Sequence, residues 1–595
     1  MRYEEFYRGF TVIKERAHMT NPSGQNRVPL LLSVFVLSLI FHMIVGWQDI
    51  TVLARNGFLC DDSFYAFKIA QNIAAGLGPT FDGVHATTGF QPLFVFLLVP
   101  IFHLFGSDLV LPIKIALTMS ALFTALTASL LFLLMRRYVR ASVALFVTII
   151  WAFSPVVIKQ GSNGLETSLA LLLFASAVYY YVTRVRGEAA PSMFRMLLLG
   201  VMLGLAIFAR VDEIFLLLAL LLDYLFVLRA RPERAGAVGR VAVLCAGVLI
   251  ATAPWMLYYY TVTGSPVLDS GSATRFLSIA YAPFFNIDAA DNLSGSPGGA
   301  FLLYHVFHSL AVLKVAPPTH VFYRLLDKAS VSFGAATFLD IAGTVLGLIL
   351  LCAVVYYFFI ARRRPDLRRR SEINFLLVFS LLLMSAYSFM IFGFFFFIRY
   401  YYPIYFVLCI YCAFLIEDVG NRFIAARSTL IRRTVYAGGM LYIVAFALMA
   451  YSQSFRTSKV YCFYDVARWV QEHTDENDII GAFQGGAIGY FSGRQVVNLD
   501  GKVNPEALEA LKSGTLAEYL KRSGVDILLD KCNVIDLFLL KPNSAALGSL
   551  HIKRIIESED PCMPGWTAYR ILASGTTGGS GAGGSSPVLR RHSGR

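Results

Sequence analysis

Residues 108–140 read DLVLPIKIALTMSALFTALTASLLFLLMRRYVR. The apolar stretch is long enough to cross a hydrocarbon core about 30 Å thick. It ends on Arg136, Arg137 and Arg140, the sort of basic stop found on the cytoplasmic side of a bilayer. Apolar runs recur from Val28 to Tyr451. Across all 595 residues 57% are hydrophobic and 15% charged, whereas soluble domains carry about 25% charged residues. The chain therefore reads as an all-α polytopic membrane domain followed by a smaller water-soluble α/β domain. The net charge of +13 would suit nucleic acid in a soluble protein. Here the arginines cluster in short loops between apolar runs, which argues for a lipid bilayer and against nucleic acid.

About eleven spans are expected, at 29–47, 108–135, 141–157, 165–183, 196–209, 213–228, 241–262, 337–361, 374–396, 400–418 and 434–452. Residues 1–28 carry Arg2, Arg8, Lys14, Arg16 and Arg27 and are placed in the cytoplasm. Alternation then puts the loops 136–140, 184–195, 229–240, 361–373 and 419–433 inside, with twenty arginines among them. The three short outer connections hold only Lys159, Arg210 and Arg399. This parity requires the run 92–105, bounded by Pro92 and Gly106, to dip into the outer face without crossing. The first span resembles a retained signal anchor. The membrane domain covers 29–452, with larger outer segments at 48–107 and 263–336.

Residues 453–573 form the outer α/β domain. A helix carrying Val466, Trp469 and Val470 precedes strands at Ile479–Phe483, Val496–Leu499 and Val525–Leu529, with a turn at Gly485-Gly486. The tail 574–595 is rich in Gly and Ser and is expected to be disordered. Eight scattered cysteines make neither a disulfide scaffold nor a zinc cluster. Cys245, Cys352, Cys409 and Cys412 lie in apolar runs. Cys532 and Cys562 are one pair that an oxidising compartment could bridge.

The polar groups that could carry chemistry fall on the outer side by this parity. Asp61-Asp62-Ser63-Phe64-Tyr65 opens a surface helix whose apolar face includes Phe67, Ala70, Ile73, Ala74 and Leu77. Asp62 or Ser63 could simply cap that helix. Capping does not need two adjacent carboxylates, which can also act as general base or ligate a metal. Thr87-Thr88-Gly89-Phe90-Gln91-Pro92, with His85 before it, adds His85 and Gln91 as candidate substrate contacts; a solvated loop histidine is the plainer reading of His85. Lys159-Gln160-Gly161-Ser162-Asn163-Gly164-Leu165-Glu166-Thr167 places Asn163 and Glu166 at the start of a span. Arg210-Val211-Asp212-Glu213 is either an ion-pair knot or part of a site. Arg399-Tyr400-Tyr401-Tyr402-Pro403 is either an aromatic belt with its anchor or a cation poised over the site. Carboxylates beside cations at one membrane face suit an anionic, membrane-tethered substrate with a phosphate.

Together, Asp61-Asp62-Ser63-Phe64, Asn163-Gly164-Leu165-Glu166, Arg210-Val211-Asp212-Glu213 and Arg399-Tyr400-Tyr401-Tyr402-Pro403 resemble the GT-C superfamily of integral membrane glycosyltransferases. The likeness runs over most of 29–420. It is greatest to the branch of arabinofuranosyltransferase B and the dolichyl-phosphate-mannose mannosyltransferases. That branch reads Asp-Asp, Ser-Gly-Leu-Glu and Arg-Pro-Glu, so Asn163 stands for a serine and Val211 for a proline. The Gly485-Gly486-Ala487-Ile488-Gly489-Tyr490 and Asn498-Leu499-Asp500-Gly501 stretches resemble the outer domain of such proteins.

The resemblance implies transfer of a sugar from a polyprenyl-phosphate donor to an envelope glycan, lipid or protein acceptor. Transfer would occur on the periplasmic or exterior face of the plasma membrane and invert the anomeric carbon. It implies a carboxylate of the first outer loop as base; position before the surface helix favours Asp61 for that role, with Asp62 and Glu166 as its neighbours, and position at the outer boundary favours Arg210 or Arg399, then Lys159, on the donor phosphate. Asn163, Tyr400, His85 and Gln91 would line the site. A divalent cation (Mg or Mn) held by Asp61 and Asp62 is compatible with it, since members work both with and without one. A transporter or lipid flippase would show inverted repeats, and none is visible. A non-catalytic envelope-assembly protein would have little use for the Asp61-Asp62 pair.

Overall fold

The computed structural model describes residues 27–229, 236–264, 368–388, 397–421, 462–540, 551–556 and 565–572, with a few positions between them. The expected spans 337–361 and 434–452, the N-terminal segment up to residue 26, most of the loop 263–336, Cys352, Cys562 and the tail lie outside that set.

In the membrane part the helices are α1 (Arg27–Gly46), α2 (Ile50–Arg55), α3 (Asp61–Ala74), α4 (Pro92–Phe105), α5 (Leu111–Met135), α6 (Ala141–Ala152) and α7 (Pro155–Gly161). They continue with α8 (Thr167–Tyr180), α9 (Met193–Ala209), α10 (Ile214–Arg229), α11 (Ala237–Thr263), α12 (Phe375–Ser388), α13 (Phe397–Tyr400) and α14 (Tyr402–Val419).

Six stretches among the described residues are long and apolar enough to span: Val28–Gly46, Leu111–Met135, Thr167–Val185, Ala237–Val262, Arg370–Tyr387 and Tyr402–Val419. A seventh is the pair α6 and α7, bent by 58°. The break is local chemistry. Pro155 removes a backbone donor at the first turn of α7, and Ser154 Oγ accepts the Val157 N–H at 3.2 Å to restart the helix. The expected spans at 196–209 and 213–228 correspond to α9 and α10, at 17 and 16 residues. The chain is thus a helical, multi-pass membrane protein. α4 has 14 residues, about 21 Å of helix, which is short of the hydrocarbon thickness.

α9 lies against α11 through small residues. A Cβ on Gly200 would sit 2.1 Å from the Leu244 carbonyl oxygen, and one on Gly247 would sit 2.6 Å from that of Leu197. Only glycine permits backbones that close, the usual device where lipid offers no hydrophobic drive for helix association.

The C-terminal part is α/β. Its elements are α15 (Phe463–His473), β1 (Ile479–Ala482), α16 (Gly486–Phe491), β2 (Gln495–Asn498), α17 (Pro505–Ser513), α18 (Leu516–Arg522), β3 (Ile527–Lys531), α19 (Cys532–Ile535), β4 (His551–Arg554) and β5 (Trp566–Leu572). The sheet order is β2-β1-β3-β5-β4. β1 is parallel to both neighbours, with Ile480 opposite Val496 and Ile527; β5 runs antiparallel to β3 and β4. The expected strands and helix all appear, within two residues of their expected starts. Gly486, read as a turn, instead begins α16.

This domain is docked on the segment that follows α1, residues 48–107. Phe64 and Phe67 of α3 and Phe102 of α4 surround Tyr490 at ring separations of 5.9 to 6.1 Å, and Phe64 meets Phe491 at 5.2 Å. Tyr490 Oη donates to the Leu109 carbonyl at 2.9 Å, and Arg55 pairs with Asp465 at 2.8 Å. These aromatics belong to one buried cluster that runs from α3 into the sheet, so the two parts share a core.

Candidate active site

The start of α3 fixes the site. Its N-cap is Cys60, not Asp62 or Ser63 as capping preference suggested. Ser63 Oγ accepts the Cys60 N–H at 3.1 Å and lies 2.6 Å from the Asn163 carbonyl oxygen. It therefore ties α3 to the 159–167 segment. Gly164 completes that tie. Its φ is +69°, and a Cβ there would meet Leu59 and Phe67 at 2.9 Å. The Asn163-Gly164 pair is thus a left-handed turn pressed against α3. The Asn163 Oδ1 accepts the Leu165 N–H at 3.0 Å and faces Thr167, so its side chain serves the turn.

With the cap taken by Cys60, the two aspartates have different surroundings. Asp61 accepts the Ala487 N–H at 2.9 Å and the Gly486 N–H at 3.2 Å, the first amides of α16. Burial pushes its carboxyl up to about 7, against the pull of the Ala487 N–H and with Asp62 adding to the rise. Asp62 accepts from Arg399 Nη1 at 2.9 Å and lies 3.8 Å from Lys502 Nζ. Burial pushes Asp62 up too, but Lys502 and Arg399 outweigh it and hold the carboxyl below its ordinary range.

From Arg399 the network runs inward. The Arg399 and Arg210 guanidinium groups stand 5.3 and 5.0 Å from the Tyr400 ring. Arg210 Nη1 bonds Glu166 at 3.0 Å and its Nε bonds Asp212 at 2.9 Å, with only 6% of the arginine side chain exposed. Tyr387 Oη donates to Asp212 at 2.6 Å and its ring lies 4.7 Å from that of Tyr400. Six of the sequence candidates, Asp61, Asp62, Glu166, Arg210, Arg399 and Tyr400, are therefore brought together. Within them Arg210 is the buried ion-pair knot, its guanidinium occupied by two carboxylates.

The rest lie at the edges. Lys159 is exposed in the last turn of α7, within electrostatic reach of Cys60. His85 pairs with Asp82 at 2.6 Å, and among the described residues no hydrogen bond or ion pair joins it to the network. Gln91 is the N-cap residue of α4 without a side-chain cap bond. Among the described residues no three His, Cys, Asp or Glu side chains gather to hold a metal ion. At the Asp61-Asp62 pair, Asp61 already accepts two backbone amides and Asp62 faces two cations.

Sequence reasoning missed three members. Lys502 reaches Asp62. Asp530 accepts the Phe483 and Gln484 N–H groups at 2.8 Å each, and burial pushes it up to about 6. Tyr65 Oη accepts from Gly485 N–H and Asn498 Nδ2, both at 2.9 Å. The only signals were the Asn498-Leu499-Asp500-Gly501 stretch and the Tyr that follows the aspartate pair.

Parts of the chain are similar to known proteins. Residues 90–258 match the family described as dolichyl-phosphate-mannose-protein mannosyltransferase. Residues 447–571 match a family described only as a domain of unknown function, DUF8728. No curated protein matches the chain. Among solved structures, the oligosaccharyltransferase AglB of Archaeoglobus fulgidus is similar at 12% identity and TM-score 0.47, over 92% of this chain and 74% of that one. ArnT of Cupriavidus metallidurans is similar at 12% identity and TM-score 0.43, over 91% and 98%. The S. cerevisiae protein O-mannosyltransferase Pmt1-Pmt2 complex is similar at 18% identity and TM-score 0.29, over 44% and 38%. Over residues 90–258 the chain is thus similar to a mannosyltransferase family, in line with the resemblance of its motifs to the GT-C membrane glycosyltransferases.

Proposed function

We propose that this protein transfers a sugar from a polyprenyl-phosphate donor to an acceptor hydroxyl on the outer face of the plasma membrane, with inversion at the anomeric carbon. One observation carries the reading. Of two adjacent aspartates, one faces backbone amides and, among the described residues, no cation, while the other faces two cations. Environments that separate a carboxylate pair in this way assign one as acid–base group and the other as electrostatic scaffold. Dolichyl-phosphate-mannose, named for the family matched at 90–258, is a lipid-phosphate sugar of the donor class.

The step balances as follows. The acceptor oxygen attacks the anomeric carbon from the face opposite the phosphate, and its proton passes to Asp61. The bond from the anomeric carbon to the phosphate oxygen breaks, its electron pair stays on that oxygen, and polyprenyl phosphate leaves. Arg399, oriented by Asp62, offsets the charge that grows on the leaving group. Tyr400 and the Arg210 knot hold Arg399 in place. Because cations already face Asp62, transfer should proceed without an added divalent ion and survive chelation by EDTA.

Purified protein in lipid nanodiscs, supplied with polyprenyl-phosphate sugars, tests the reading directly. Arg399→Ala should raise KM for the lipid donor about ten- to hundredfold, the worth of one charged hydrogen bond. Unchanged KM would remove Arg399 from the phosphate. Sidedness has its own test. Arg364→Cys, in the loop 361–373, and Ser513→Cys, on α17, should label from opposite faces of oriented vesicles. Labelling of both from one face would overturn the arginine-based orientation.

A further inference from the structure

The face of α3 that carries Asp61 continues past the carboxylate pair. Asp61, Tyr65, Lys68 and Asn72 follow one another at spacings of four, three and four, so they share one side of the helix. Asp61 and Tyr65 meet residues 485–487 of the α/β domain. Lys68 and Asn72 instead line a pocket of about 240 Å³ at the same seam, with Phe81, Asp82, Arg494 and Gln495 among its other walls. Lys68 stands about 10 Å along the helix axis from Asp61. Tyr65 lies between them, its Oη on the Gly485 N–H at 2.9 Å and its ring 4.7 Å from that of Phe81. The pocket is therefore a separate place from the aspartate pair.

Its walls are fixed from both sides. Asn72 Nδ2 donates to the Thr80 and Phe81 carbonyls at 2.9 and 3.1 Å, which bonds the turn after α3 to the helix. A Cβ on Gly489 would lie 2.6 Å from the Phe81 ring, so α16 closes on that ring from the domain side. Arg494 donates to the Gln471 and Thr474 carbonyls at 3.1 and 2.9 Å and to Thr474 Oγ1 at 3.2 Å, all neutral acceptors. The charges do not cancel. Asp82 turns its carboxylate onto His85 Nδ1 at 2.6 Å and onto the Val84 and His85 N–H groups. Lys68 Nζ has three protons to give, and it bonds the neutral Gln71 Oε1 at 3.2 Å. Burial pulls the Lys68 ammonium below its ordinary value, and no carboxylate among the described residues pulls it back.

We propose that this pocket binds an anionic group, the carboxylate or phosphate of a small saccharide, with Lys68 as the cation that grips it. The two remaining protons of Lys68 Nζ match two oxygens of such a group, and a charge-assisted bond of this kind is the strong kind. Arg494 adds positive field from the opposite wall. Gln495, at the head of the edge strand β2, supplies a neutral donor for a hydroxyl. The volume lies below the roughly 300 Å³ at which sites for drug-sized ligands begin, so it suits one small hydrophilic unit. The proposal stands apart from the donor reading above, since none of these residues touches the Asp61-Asp62 network.

The test uses the full chain in nanodiscs with three probes: inorganic phosphate, glucuronate and uncharged glucose. Phosphate or glucuronate should bind the parent saturably, read by calorimetry and as a rise in thermal midpoint, and glucose should not. Binding of phosphate alone names a phosphorylated ligand, and binding of glucuronate alone names an acidic sugar. Lys68→Gln should weaken the bound anion about ten- to hundredfold and leave the unliganded midpoint where it was. Lys68→Arg should keep most of the affinity. Gln495→Glu, which sets a negative charge in the wall and leaves Lys68 in place, should weaken the anion as well, so the result does not hang on one variant. Parent-like anion binding by both Lys68→Gln and Gln495→Glu overturns the site. So does glucose binding as well as glucuronate, or no saturable binding of either anion by the parent.

Discussion

Asp61→Asn should lower the rate of sugar transfer by about 10²–10⁴-fold, the usual contribution of a positioned general base, while the protein remains folded. The second half matters because Asp61 also receives two amides of α16. Asn keeps one acceptor and loses the other, at about 1 kcal/mol. Against that, it removes the penalty of ionising a half-buried carboxyl. The sign follows from the shift: the folded group titrates at about 7, against 3.8 for the ordinary carboxyl. Between those values the folded state holds the extra proton, so the stability owed to this group declines as pH rises from 4 to 7. It is fully lost above about 7, and the Asn variant should lack that decline. Activity should move the other way. A base works deprotonated, so transfer by the parent should climb through pH 7 and level off above it. Asp62→Asn should instead raise KM for the donor, since Asp62 orients cations. A rate for Asp61→Asn within about threefold of the parent would remove Asp61 from the base role.

The difference between what was legible and what was not is a matter of range. Apolar length and arginine placement are properties of single segments, so helices such as Leu111–Met135 and Tyr402–Val419 stand out along the chain. The same holds for α15, whose Val466 and Val470 are buried at helical spacing. The cap of α3 falls on Cys60 and not on Asp62 or Ser63, which the sequence offered as one of two open readings. Ser63 spends its hydroxyl on Cys60 and on Asn163, a hundred positions away in sequence (|i−j| of 100). The partners of Asp61 lie 425 and 426 positions downstream, and they are backbone amides, which carry no residue-type signal at all. Glycine was their only trace. Gly89, Gly486 and Gly489 each mark a spot where another chain segment occupies the place of a Cβ. From sequence alone a glycine announces a turn as readily as a contact, and Gly486 was read as the former.

Arg210→Met should produce the largest loss of stability of any single change at the site. Arg210 sits between Glu166 and Asp212 with 6%, 8% and 11% of the three side chains exposed. Removing the guanidinium strands two carboxylates, and breaking a buried pair in this way costs about 3–5 kcal/mol. Tyr387 can still donate to Asp212, which softens one half of the loss, whereas Glu166 keeps no cation at hydrogen-bond distance among the described residues. The expected result is a sharply lower thermal midpoint in nanodiscs and a reduced folded yield, with Tyr400 and Arg399 losing their backing. The triple change Arg210→Met, Glu166→Gln, Asp212→Asn should recover most of the midpoint, because it removes the orphaned charges together. The recovered protein separates two roles that the sequence left open. If Arg210 is only the knot behind Tyr400, the triple variant regains donor affinity along with stability. If it grips the donor's phosphate, stability returns and affinity does not. The occupied guanidinium leads us to expect the first outcome. A stable triple variant with donor KM still raised about tenfold or more would move Arg210 into the binding site.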